Sequence, residues 1–397
     1  MRIGILTLHS QTNYGGVLQA YALQSILESL GHEVVVIDRW MDEGNSLLNG
    51  VFSCRSPGAW MKFFCRGLLG FGDFAHLIRC RRTKRMLPNL LHLSKYSFCH
   101  WKDAPADLGI DLLVVGSDQV WNPGALCNGQ VYLLKGSPKI PAISYAASFG
   151  VKSLPREWED AYRDGLARFR SISVREKEGC AIVSALGFSA THVVDPVFLA
   201  DPKIWDRFRP LARRRKGKKL VCYFIHEPMG KVLADLRHFS AKNKCDVEVF
   251  LGGPWQEIPR RPKEWLSIFS GVFRALLIPR IHLRAIATPN EFVGEIAAAD
   301  WVVTDSFHGL MFSTVFRKNV RILKPRRNSA DGGFSRLSEF VSSHLRGKAL
   351  SEGLDDALRS LFNDLPVRYD LDGLVRAKEV SSLWLHNAMS VQSCNQY

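Results

Sequence analysis

The ten residues Asp300-Trp301-Val302-Val303-Thr304-Asp305-Ser306-Phe307-His308-Gly309 restrict the architecture more than any other part of the chain. An apolar run breaks off in a hydroxyl, a carboxylate, an aromatic ring, an imidazole and a glycine. The helical pattern Leu310 to Phe316 follows at once. This is the order strand, tight turn, helix, the repeating unit of a parallel sheet. Open α/β sheets hold their ligands at the carboxyl ends of such strands. A helix beginning there offers unpaired N–H groups and a positive dipole end to an anion. The turn therefore either gathers acid, base and anion-binding groups, or it is an Asp/Ser helix cap beside an incidental histidine.

The same order recurs along the chain. A strand over 3–8, a polar loop over 9–14 and a helix over 15–30 are closed by Gly31-His32, and a strand follows over 34–37. That is a βαβ unit. Further strands are expected over 111–115, 140–145, 171–174 and 191–194, with helices over 156–169 and 176–186. Asp195 to Pro202 reads as a crossover whose two prolines interrupt regular structure. A second alternation runs through strands at 219–225, 247–251, 300–304 and a final one at 320–323, with helices at 231–243 and 291–299. The expected fold is α/β: two doubly wound, Rossmann-like domains with separate cores, facing each other across a cleft. Their expected bounds are 1–197 and 198–370, with a helix in 371–397 packing back on the first domain. Residues 42 to about 101 lack strand patterning and read as a helical, partly basic insertion.

Lys and Arg number 53 against 38 Asp and Glu, a net charge of +15. Nucleic acid, an anionic membrane surface and acidic substrates would each suit it. The charge gathers at 79–85, at 213–219 and at Arg326-Arg327, with no zinc finger, RNA-binding motif or basic zipper beside it. No nucleic-acid partner is expected. The alternation of apolar and basic groups over 60–69 and 79–85 fits either a helix at a headgroup surface or a packed helix with a solvated basic face. No apolar run approaches the roughly 18 residues of a membrane span. The first residues read as a strand rather than a signal peptide. Nine cysteines without CxxC pairing support neither a disulfide framework nor a zinc site. A cytoplasmic protein with reduced thiols and no metal is the expectation, at most peripheral to the membrane.

The loops at the predicted strand ends carry the chemistry. Asn13-Tyr14-Gly15-Gly16 sets two glycines at a helix start, allowing close backbone approach to a ligand. It is not a dinucleotide fingerprint. Gly116 to Pro123 crowds Asp118, Gln119, Trp121 and Asn122 into one turn, which suits either sugar recognition or an Asx turn with a packed indole. Ser144 to Gly150, including Ser148, supplies small residues and hydroxyls. Arg175 ends a strand, where it can fork onto a phosphate or carboxylate, or pair with Glu176 or Asp195. His226 ends a strand in the second half.

Taken in order, six segments resemble the polysaccharide pyruvyl transferase family: 13–23, 116–122, 144–150, 173–176, 194–197 and 304–309. The resemblance runs from residue 1 to about 345 and implies a two-domain, GT-B-like fold. It implies transfer of the pyruvyl group of phosphoenolpyruvate onto sugar hydroxyls as a ketal in surface-polysaccharide biosynthesis. It needs phosphoenolpyruvate as co-substrate, a saccharide or lipid-linked sugar acceptor, and no cofactor or metal. Catalytic roles fall on His308, Asp118 and Asp305, the last setting the histidine's tautomer or capping the helix. Arg175, Ser306, His226 and Gly309 belong to the donor side. Asn13, Tyr14, Gly15, Gly16, Trp121, Asn122 and Ser148 belong to the acceptor side. Some relatives carry an arginine-leucine pair where this chain has Ser306-Phe307. Arg284, Lys324, Arg326 and Arg327 are the candidates to replace the missing charge. Two other readings stay open: a glycosyltransferase using a nucleotide sugar, and a non-catalytic sugar-binding or membrane-scaffold protein.

Overall fold

The computed structural model describes residues 1–9, 13–39, 71–125, 129–213, 217–225, 229–251, 280–324 and 333–390. Seven parallel strands make the first sheet: β1 (Arg2–Leu6), β2 (Glu33–Arg39), β3 (Leu93–Phe98), β4 (Leu112–Val115), β5 (Ala142–Ala147), β6 (Ser171–Val174) and β7 (Thr191–His192). Their order across the sheet is β3-β2-β1-β4-β5-β6-β7. The second sheet is built from β8 (Lys219–Phe224), β9 (Asp246–Leu251), β10 (Ile281–Leu283), β11 (Trp301–Thr304) and β12 (Asn319–Leu323). A small antiparallel pair joins β13 (Leu345–Arg346) to β15 (Arg368–Tyr369), and β14 (Leu350–Ser351) lies between them in the chain. The second sheet runs β10-β9-β8-β11-β12-β14, again parallel throughout.

Both sheets thus reverse direction beside their first strand, between β1 and β4 and between β8 and β11. In a doubly wound sheet the connections leave to opposite faces at that point and open a crevice at the strand ends. The loops entering these two crevices are those after residues 6, 115, 224 and 304. The chain's chemistry-bearing turns are therefore placed by topology.

Three expectations need correction. Residues 93–98 form a strand, although the sequence suggested a helical insertion there. Leu-Ser-Lys-Tyr-Ser-Phe alternates because β3 is an edge strand, partly exposed, and lacks the continuous apolar run of the central strands. The strand over 320–323 is not the last, since β14 pairs with it through Ile322 and Leu323. The prolines after Asp195 and Asp201 start helical turns instead of breaking structure. Both aspartates cap them, accepting from Val197 N and Lys203 N at 2.9 Å each.

Each domain has an apolar core of its own, as expected, but a third cluster is shared between them. It runs through both sheets, joining Tyr14, Val17, Leu18 and Tyr21 of the helix Tyr14–Ser29 to Trp205, Tyr223, Phe250, Phe292 and Phe312. The Tyr14 ring stacks on Phe292, with centroids 4.9 Å apart. The Arg79 guanidinium carbon stands 5.5 Å from the same ring's centroid. Arg79 is buried, and Arg82 donates to Ile286 O at 2.6 Å and to Glu291 Oε1 at 3.3 Å. Two arginines of the basic cluster are thus spent inside the protein, Arg79 against the Tyr14 ring and Arg82 on the second domain, with Arg81, Lys84 and Arg85 exposed. The helix Leu371–Ser390 lies against the first domain, where Ser381 Oγ accepts from Val194 N at 3.0 Å and Trp384 meets Tyr145. Among the described residues no helix is long and apolar enough to cross a membrane.

Removing the Tyr14 ring is expected to cost about 3–5 kcal/mol, as for other buried aromatics truncated to alanine. Arg81→Ala, on the exposed face, should stay within about 0.5 kcal/mol of wild type. Urea unfolding of the two variants checks this. A Tyr14→Ala chain as stable as wild type would show that the domains do not share this core.

Candidate active site

Arg175 follows β6 directly, and its guanidinium is held in the first crevice by two carboxylates. Nη1 donates to Asp195 Oδ2 at 2.8 Å and Nη2 to Asp118 Oδ1 at 3.3 Å. Asp195 caps its own helical turn with Oδ1, while Oδ2 also accepts from Ser117 Oγ at 3.3 Å. Asp118 holds a left-handed backbone, φ 70°, uncommon for a residue with a side chain. Bonds from its N to Ser117 Oγ and from Ser148 N to its O fix that conformation. The second domain supplies His308, whose Nε2 stands 3.9 Å from Asp195 Oδ2. Phe307 lies beside it, with the Arg175 guanidinium carbon 4.6 Å from the ring centroid. Arg175, Asp118, Asp195 and His308 are all buried.

The glycines explain how the histidine enters. A β-carbon on Gly15 would fall on the His308 imidazole, and one on Gly16 would fall on Leu8 O. The close approach expected of a ligand at Gly15 is made by the histidine of the other domain. Gly16 instead lets the helix lie on the β1 loop.

Two acceptor-side expectations fail on burial. Tyr14 and Trp121 are both fully buried, so neither ring can stack on a sugar. Tyr14 is interdomain core, and Trp121 packs on Phe149 and Phe169 while its Nε1 donates to Tyr132 O at 3.2 Å. Asn13 and Asn122 remain half-buried. Asn13 caps the first helix, accepting from Gly15 N at 3.0 Å, and Asn122 Oδ1 accepts from Gly124 N at 2.8 Å. Ser148 Oγ donates to Glu176 Oε1 at 2.8 Å. That same oxygen of Glu176 accepts from Phe149 N and Gly150 N.

On the donor side, Asp305 Oδ1 accepts from Ile225 N at 2.7 Å and ties the turn to β8. The helix Phe307–Val315 is capped by Ser306, whose Oγ accepts from Gly309 N at 3.5 Å. The carboxylate facing the imidazole is Asp195, from the other domain. Gly309 packs on the Thr304 side chain, which a β-carbon would strike, so its role is helix-to-strand contact. His226, Arg326 and Arg327 lie outside the described residues.

The missing positive charge comes from none of the describable candidates. Arg284 stands 3.7 Å from each of Glu248, Glu291 and Glu295, and Lys324 pairs with Glu352. Among the described residues, Arg336, on the helix Gly333–His344, is a further basic side chain that reaches the site. Its guanidinium carbon is 5.7 Å from the Phe307 centroid and its Nη1 donates to Ser148 Oγ at 3.2 Å. No motif marks Phe334-Ser335-Arg336-Leu337 in the sequence. In the sequence Asp195 stood in the segment 194–197, at the start of the crossover and as a possible partner for Arg175, without a place in the site.

The sequence from 13 to 325 matches the family model of polysaccharide pyruvyl transferase, most of the chain's length. The chain belongs to that family. As a member it is a transferase with a GT-B-like, two-domain α/β fold. Solved structures with a similar fold include UDP-GlcNAc 2-epimerase from Methanocaldococcus jannaschii in complex with UDP-GlcNAc and UDP. It is 13% identical with a TM-score of 0.50, over 97% of this chain and 100% of that one. Another UDP-N-acetylglucosamine 2-epimerase is 10% identical with a TM-score of 0.50, over 100% of this chain and 97% of that one. At such identities the likeness is one of fold alone. No curated protein sequence matches the chain.

The electrostatics of this pyruvyl transferase family member sort its ionisable groups into two kinds. Burial alone would raise the Asp118 pKa, but Arg175, His308 and Arg336 outweigh it and hold the carboxyl below its usual range. Burial works against the Arg175 charge too, and Asp195 and Asp118 more than restore it. His308 goes the other way: burial lowers its pKa, with Asp118 and Asp195 offsetting only part. The free transferase thus holds fixed carboxylate and guanidinium charges around an imidazole that is neutral at neutral pH.

Two outcomes follow for measurement. Because the folded chain takes up the His308 proton less readily than the unfolded chain, stability is lost as pH falls through about 6.5. Lowering pH from about 8 to 5.5 should therefore shift the stability difference in favour of His308→Asn. A pH-independent difference would contradict the buried, neutral imidazole. Gly15→Ala should gain about 1 kcal/mol of helix propensity in an unconstrained helix. Here the methyl displaces His308, so melting temperature and turnover are both expected to fall. An unchanged or more stable, fully active variant would contradict the close packing.

Proposed function

We propose that the chain transfers the pyruvyl group of phosphoenolpyruvate to two hydroxyls of a sugar, forming a cyclic ketal and releasing phosphate, in surface-polysaccharide biosynthesis. The observation that carries this reading is the facing of Arg175, with its two carboxylates, by the buried His308 of the other domain. Phosphoenolpyruvate brings a phosphate and a carboxylate, and a guanidinium and a helix start suit both. The net charge of +15 favours approach of such an anion.

Each hydroxyl loses one proton in ketal formation. One proton ends on the methylene carbon, making a methyl group, and the other leaves on phosphate. The neutral imidazole of His308 is the group suited to move them. A multiply charged anion docked beside it raises its proton affinity again. The imidazolium then protonates carbon or the departing phosphate oxygen and recovers a proton from an acceptor hydroxyl. Asp118, held well ionised and bonded to Arg175, is a weak base, and its role is to orient Arg175 and an acceptor hydroxyl. Asn13 and Asn122, half-buried at the crevice, remain available to a saccharide or lipid-linked sugar.

His308→Ala is expected to abolish phosphate release from phosphoenolpyruvate in the presence of an accepting saccharide, with melting temperature retained within a few degrees of wild type. Full activity in that variant would remove His308 from the chemistry. The nucleotide-sugar reading rests on likeness of fold. Stabilisation of wild type by UDP but not by phosphoenolpyruvate would move the assignment to glycosyl transfer.

A further inference from the structure

We infer that Arg336 is a second donor-binding guanidinium, facing Arg175 of the first domain and taking the place of the basic residue that some relatives carry two positions before the histidine, where this chain has Ser306. With Arg175 and His308 it makes a site for a ligand bearing two anionic groups. The inference rests on the proposed function for the identity of the donor, but on geometry alone for the anion site.

The first observation is position. The ring of Phe307, which occupies the residue before His308, has the Arg175 guanidinium carbon 4.6 Å from its centroid and that of Arg336 at 5.7 Å. The His308 ring centroid is 5.7 Å from the same point. Three cationic or protonatable groups from three elements thus gather around one aromatic side chain. The second observation is a set of buried nitrogen atoms without partners, two of them guanidinium donors. Arg175 Nε, Arg336 Nε and His308 Nε2 are buried without a hydrogen-bond partner among the described residues. Each side chain is more than nine-tenths buried, at 5%, 8% and 5% exposure. One such atom is tolerable, but three together in a cluster call for an acceptor.

The remaining contacts of Arg336 aim it. Ser148 Oγ accepts from Nη1 at 3.2 Å. Gln119, its amide turned with oxygen toward the guanidinium, accepts from Nη1 at 3.3 Å and Nη2 at 2.5 Å. Both partners are neutral. Arg175 has direct carboxylate partners, whereas burial and the like charge of Arg175 lower the Arg336 pKa, with Glu176, Asp118 and Asp195 nearby offsetting only part of this. A buried guanidinium without a bonded counter-charge among the described residues is costly, and an anionic ligand offsets that cost. The sequence change from a basic residue to Ser306 is thereby compensated by a residue about 30 positions later. Donor binding then draws on both domains.

The test uses wild type, Arg336→Ala, Arg336→Lys and Arg359→Ala. The last removes an equal charge from an exposed pair with Asp355. Melting temperature is read with and without inorganic phosphate, and steady-state kinetics with phosphoenolpyruvate. The expected result is a phosphate-induced rise in wild type and Arg359→Ala that is mostly lost in Arg336→Ala. In Arg336→Lys, which keeps charge but not the fork, KM for phosphoenolpyruvate rises at least tenfold while kcat changes less. A residue that only braces the domains would lower the melting temperature of the free protein and leave the phosphate increment intact. That result, or an equal loss in Arg359→Ala, or no phosphate response in wild type, overturns the inference. A phosphate response that depends on Arg336, with no further response to phosphoenolpyruvate, would instead count against the pyruvyl donor and leave the anion site standing.

Discussion

The Asp195 carboxylate is the point on which the site depends. Oδ1 caps the turn that carries the chain out of the first sheet. Oδ2 receives Arg175 and Ser117 and faces His308 from the other domain. One buried anion therefore fixes the β6 end, the β4 loop, the crossover and the domain boundary together. Such a network is not itself a large source of stability, because desolvation offsets much of the attraction. What it gives is geometry. Removing Asp195 would leave Arg175 with the longer bond to Asp118 and take the only acidic neighbour within 4 Å from the imidazole among the described residues.

The same economy of position recurs on the scale of the fold. Both sheets carry the strand order in which the crevice opens beside the first strand, and the two crevices supply complementary halves. The first offers carboxylates and one arginine, and the second offers the histidine and another arginine. The domains meet through a buried aromatic core around Tyr14, continuous with the packing of His308 on Gly15. A site assembled across such a boundary is sensitive to packing changes in either domain.

Much of this was legible in the sequence. Most central strands are apolar on both faces and end in polar turns, so β1, β4, β8 and β11 announced themselves, and with them Asp118 and His308; β6 carries Ser171 and Ser173 on one face and leads into Arg175. What escaped has physical reasons. The strand β3 alternates because it is an edge, and β14 is too short to show a period. Trp121 and Tyr14 sit among functional-looking residues, yet their rings face inward, a distinction that spacing cannot carry. Asp305 looked like a partner for its neighbour His308, but the turn directs it to β8. Arg336 lies on a helix distant in sequence with no motif around it, so only the fold brings it to Phe307.

Calorimetric titration of wild type and Arg175→Ala with phosphoenolpyruvate, in buffers of different ionisation enthalpy, tests the central claim most directly. The account predicts binding that is lost in the variant and, in wild type, accompanied by proton uptake near neutral pH, as the anion recharges His308. Binding of equal strength in Arg175→Ala, or binding without proton uptake at any pH between about 6 and 8, would contradict it.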